Sequence, residues 1–204
     1  LVTRDIAILR EIQKIYAAIS FTITTADDSL SEILEPEAPL ASERFAAIKQ
    51  LTDAGIYCGI TFMPVLPFIN DTFDNISEIV RLAKENGAQY IIPYFGLTMR
   101  DGQREYMYQK FDTYFPGMSA QYKKQFGLQY ACPSPKAKEL YAHFNKLCKN
   151  ADIATRMNFY NPTKYIQQTI TINNLTNPHK YVGKIKSNIT FRTLKLQFPR
   201  NLLL

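Results

Sequence analysis

Apolar residues near the start of the chain fall first at helical spacing and then in alternation. Ile6, Leu9, Ile12 and Tyr16 predict an amphipathic helix from about Thr3 to Ala18. The run "ISFTITT" then predicts a strand over 19–25, with Ser20, Thr22 and Thr24 on one face and Phe21 and Ile23 on the other. The polar stretch "TTADDSLSEILEPEAPLASER" that follows reads as a strand-to-helix loop, stiffened by Pro36 and Pro39 because proline fixes φ and restricts the residue before it. Ser42 is placed to cap a helix carrying Phe45, Ile48 and Leu51, which stops at Gly55.

The unit then recurs. "IYCGITFMPV" reads as a buried strand, and Asp71 or Thr72 caps a helix with Ile76, Ile79, Val80 and Ala83 that ends at Gly87. "AQYIIPYF" gives a third strand. Strands alternating with helices imply parallel pairing through right-handed crossovers, with ligands expected at the carboxyl ends of the strands. Thr24, Pro64 and Phe95 lie near those ends. After Gly96 the alternation stops. "RDGQREYMYQKFDTYF" and "SPKAKELYAHFNKLCKN" read as helices, the second capped by Ser134 with Pro135 at its first position and a stripe of Leu140, Tyr141, Phe144, Leu147 and Cys148. These helices are expected to cover one end of the sheet. From Asn158 onward, turn signals separate short runs such as "KYIQQTITI" and "NITFRTLKLQF", which predict short strands or irregular structure.

Composition adds boundaries. The 204 residues, 46% of them apolar, suffice for a real core. The run "GIYCGITFMPVLPFI" contains two prolines and is too short for a membrane span, so no transmembrane helix is expected. A chain that begins at Leu1 with no signal pattern reads as a processed or truncated product. Three cysteines, Cys58, Cys132 and Cys148, are too few and too scattered for a disulfide framework and suit a cytoplasmic, reducing setting. With only His143 and His179 beside them, no zinc-ligand spacing occurs and no metal site is expected. The net charge of +6 is uneven. Residues 1–151 hold 16 Lys/Arg against 17 Asp/Glu, and residues 152–204 hold 8 against 1.

The stretch "SFTITTADDSLSEILEPEAPLASERFAAIKQLTDAGIYCGITFMPVLPFIND", with the later "RDGQREYMYQKFDTYFPG" and "SPKAKELYAHFNKLC", resembles radical S-adenosylmethionine proteins of the spore photoproduct lyase type, the DNA repair photolyase-like group. The resemblance covers roughly residues 1–170. It implies an α/β fold, a partial (β/α)6 barrel with parallel strands plus C-terminal helices, in which the strands at 19–25, 57–63 and 89–95 are the fourth, fifth and sixth. The implied organisation is the later half of that barrel over residues 1–100, a helical cover over 101–151 and a basic tail over 152–204. It also implies S-adenosylmethionine and a [4Fe–4S] cluster as cofactors of the intact protein, and a 5′-deoxyadenosyl radical that abstracts hydrogen from a substrate of the nucleic-acid class. The family's cluster-binding CxxxCxxC triad does not occur in this sequence. The chain alone is therefore expected to be inactive, with an N-terminal barrel part as its missing partner and self-association through an open sheet edge as a consequence.

The resemblance assigns cofactor-binding roles. Arg44, just inside a helix start, would face the carboxylate of S-adenosylmethionine; the alternative is an ion pair with Glu35 or Glu37. The hydroxyl row Ser20, Thr22 and Thr24 would reach the ribose; the alternative is threonine chosen for strand propensity. "MPVLPFIND" would lie beside the adenine, with Phe68 where the family commonly has glycine, and Tyr94, Phe95 and Met99 would line the substrate side. Cys148 reads as a core thiol and Cys132 as reactive if exposed. A second function remains open: a non-enzymatic half-barrel that binds nucleic acid or another acidic partner through Lys180, Lys184, Lys186, Arg192 and Lys195, interleaved with Tyr181 and Phe191.

Overall fold

The computed structural model describes residues 2–162. The expected tail strands and tail cations beyond Pro162 lie outside the described residues. A 3₁₀ turn (Val2–Asp5) leads into α1 (Ile6–Gln13), then β1 (Ala18–Thr22), α2 (Asp28–Leu34), α3 (Ala41–Asp53), β2 (Tyr57–Phe62), α4 (Phe73–Glu85) and β3 (Tyr90–Pro93). The sheet order is β1-β2-β3, with both pairs parallel: Ser20 lies opposite Gly59, Thr22 opposite Thr61, and Gly59 opposite Tyr90. Among the described residues β1 pairs only with β2, so it is an edge strand. On the far side, Ala154 adds a single parallel bridge to Tyr90. This mixed α/β arrangement with a parallel sheet is as expected; the described strands form an open sheet.

One face of the sheet is apolar because the strands alternate. Ile23, Cys58, Ile60, Phe62 and Ile91 pack there against Phe45, Ile48 and Leu51 of α3 and Ile76, Ile79 and Ala83 of α4. The helix Ala137–Ala151, α7, joins the same core through Leu140, Phe144 and Cys148 and packs with α4. The remaining elements are α5 (Gln103–Tyr114), α6 (Met118–Phe126) and an antiparallel pair, β4 (Gly96–Thr98) with β5 (Ala131–Pro133). They build a second apolar cluster around Tyr122, Phe111, Leu97, Cys132 and Leu66.

Several boundaries differ from expectation, each for a local reason. The loop after β1 contains α2, whose N-cap Asp27 accepts from the Ser29 and Leu30 amides. Ser42 is inside α3, not its cap. Its amide and hydroxyl donate to the Asp28 carboxylate at 2.9 and 2.6 Å, while Glu43 accepts from the amide of the true N-cap, Leu40. Thr72 does cap α4, through the Asn75 amide at 3.1 Å. Ser134 precedes α7 by three positions and donates to Asp71 at 2.5 Å. The first helix ends at Gln13. Its residues Ile6 and Leu9 pack on the core, and Ile8, Ile12 and Ile15 stay exposed. The β4–β5 pair went unforeseen because each strand has three residues, too short for a periodic signal. No helix among the described residues is long and apolar enough to cross a membrane.

Candidate functional site at the strand ends

The carboxyl ends of β1, β2 and β3 meet the segments 23–26, 63–70 and 94–96. On the sheet face opposite the main core, the row Ser20, Thr22, Thr24 divides into three situations. Ser20 Oγ is engaged by the Tyr90 hydroxyl at 2.7 Å, and that hydroxyl also donates to Ile19 O at 3.2 Å. The Tyr90 ring can lie there because Gly59 has no side chain; a Cβ would sit 2.4 Å from the ring. Tyr57 packs on Tyr90 with centroids 4.9 Å apart, and Ser20 itself stays exposed. Thr22 is exposed. Thr24 is 2% exposed, and its Oγ1 is buried without a hydrogen-bond partner. An unmatched buried hydroxyl costs about 1–3 kcal/mol, and this one is closed off from solvent.

Arg44 sits in the first turn of α3 with its side chain 10% exposed. Its Nε donates to Pro39 O at 2.7 Å, and its Nη1 donates to Thr22 O at 2.6 Å and to Glu35 at 2.8 Å. The anion facing Arg44 is therefore Glu35, itself 14% exposed. This is the ion-pair alternative left open by the sequence. Through Thr22 O, Arg44 also steadies the end of the edge strand.

The stretch "MPVLPFIND" supplies the wall beside β1. Val65 and Leu66 are core residues, and Met63 and Pro64 are half-buried. Phe68 has φ +68°, the left-handed conformation that glycine adopts without penalty. The backbone shape associated with glycine is thus kept by a phenylalanine. Its ring stacks edge-on to Tyr122 at 5.8 Å, and its amide donates to Asp71 Oδ1 at 2.7 Å. The Tyr122 hydroxyl donates to Pro67 O at 2.9 Å, and burial pushes its ionisation up. Phe95 and Met99 are buried in the two cores, so of the aromatic and thioether side chains placed on the substrate side only Tyr94 is partly open.

Sequence reasoning missed two residues that organise this site. Asn70 and Asn75 both donate to Thr24 O, at 2.7 and 3.1 Å. The available signal was a pair of amides, Asn70 and Asn75, bracketing a helix cap beside a strand end.

The three thiols do not form a metal centre. Cys58 and Cys148 belong to the sheet core and Cys132 to the second cluster. Burial pushes Cys58 and Cys148 up to about 12 and raises Cys132 as well, which leaves all three protonated and buried rather than reactive. A [4Fe–4S] cluster needs several thiolates converging on one centre, so this chain's own residues do not fit it. Among the described residues, no group of three or more His, Cys, Asp and Glu side chains is placed to hold a metal. At the strand ends Thr22 is exposed and Met63, Ile92 and Tyr94 are half-buried, while the Thr24 hydroxyl is closed off from solvent. A separate cleft of about 560 Å³ lies between α5 and α6, lined by Arg104, Tyr108 and Lys123 among others and by none of the strand-end residues. There the buried Arg104 donates to the carbonyls of Met99, Gly127, Leu128 and Gln129, tying the end of α6 to β4.

Comparison with known proteins gives limited kinship. No family model matches the chain and no solved structure matches it. An uncharacterized protein of Mycobacterium bovis is 26% identical over 105 residues, covering 51% of this chain and 31% of its own length. Uncharacterized proteins of two Mycobacterium tuberculosis strains match to the same extent. The chain is thus similar to about a third of the length of the curated relatives it matches.

Proposed function

We propose that this chain supplies the later strands of a radical S-adenosylmethionine protein of the spore photoproduct lyase type. On this reading β1, β2 and β3 are the fourth to sixth strands of a partial (β/α)6 barrel, and β1 carries the edge at which the earlier strands continue. The observation that supports it best is the parallel order β1-β2-β3, with the exposed Thr22 at the carboxyl end of the edge strand β1. Thr22 contacts the cofactor, Arg44 holds the Thr22 carbonyl, and the Tyr90–Tyr57 rings lie beneath the site. S-adenosylmethionine, when bound at a reduced cluster, supplies hydrogen-atom abstraction; the cluster ligands belong to a segment outside this sequence. Nucleic acid is the substrate class implied by the resemblance, and a reducing cytoplasm is the setting that suits the three buried thiols.

Anaerobic reconstitution with iron and sulfide tests this. The 204-residue chain should show no stable cluster absorbance and release no 5′-deoxyadenosine. A longer protein that joins it to a CxxxCxxC segment should do both. A cluster on the chain alone, or a cluster-bearing longer protein that leaves S-adenosylmethionine intact, contradicts the proposal.

A further inference from the structure

We draw no further inference here: the strongest candidate, the cleft of about 560 Å³ between α5 and α6, carries nothing because the unmatched hydroxyl of Tyr108 in its lining is closed off from solvent and nothing in the structure shows what would fill it.

Discussion

At Phe68 the left-handed backbone (φ +68°) and the aromatic packing on Tyr122 and Phe126 act against each other. Phe68→Ala keeps the unfavourable backbone and loses the ring, whereas Phe68→Gly loses the ring and relieves the backbone. Phe68→Gly should therefore be the more stable of the two by about 1 kcal/mol in denaturant unfolding. Equal stabilities would mean that the left-handed conformation carries no penalty there. Arg44→Ala leaves Glu35 with 14% exposure and no cation, and frees the Thr22 carbonyl; it should cost about 3 kcal/mol, the low end for breaking a buried pair. The buried thiols make a pH prediction. Burial holds Cys58 and Cys148 protonated up to about 12, against an ordinary value of 9.0. The folded state then retains protons that the unfolded chain loses, so stability should fall as pH rises from 9 toward 12. A thiol reagent at pH 8 should label none of the three cysteines until the protein unfolds. At this scale the sequence was only partly legible: Cys148 could be read from its place on a helix stripe, but whether Arg44 meets Glu35 or a ligand depends on a loop path that no periodicity encodes.

The parallel sheet depends on contacts between strands far apart in sequence. Tyr90 crosses all three strands, from β3 over Gly59 to Ser20 and Ile19 of β1. Gly59→Ala places a methyl group inside the van der Waals reach of that ring and should destabilise by about 2 kcal/mol, the usual scale of overpacking; a neutral outcome would show that the ring is free to move. The β1, β2 and β3 segments, and the helices α3 and α4, were readable because their apolar positions recur at periods of two and of 3.6. The starts of α3 and α7 were not: the Ser42 hydroxyl is turned to Asp28, and Ser134 donates to Asp71 while accepting from the amide of Lys136, the residue before α7. Alpha-helix α2 was hidden for a related reason, since "DDSLSEIL" is a short helix between prolines and turn residues whose start is set by the Asp27 cap. The clamp of Asn70 and Asn75 on Thr24 is likewise a tertiary feature of residues that each look like ordinary turn or cap formers.

For the molecule as a whole, β1 presents an unpaired edge among the described residues, and Ile8, Ile12 and Ile15 of the preceding segment are 62%, 48% and 59% exposed. Such an edge pairs with other chains, so the isolated chain should self-associate or be rescued by co-expression with earlier barrel strands. A monomer at high concentration in sedimentation would count against this. The excess of 8 Lys/Arg over 1 Asp/Glu in residues 152–204 predicts salt-sensitive nucleic-acid binding, with a log-log slope of roughly −0.7 to −0.9 per phosphate neutralised. Deleting residues 171–204 should abolish it, and undiminished binding by the shortened chain would show that the charge is only solvated. The central claim is that the strand ends form an S-adenosylmethionine site, and residue-resolved magnetic resonance during titration of the unaltered chain with that compound tests it most directly. Shifts should gather at residues 22–26, 62–66 and 94–95, at the carboxyl ends of the three strands, where Thr22 is exposed and Met63 and Tyr94 are half-buried. An absence of saturable shifts, or shifts confined to the cleft between α5 and α6, would contradict it.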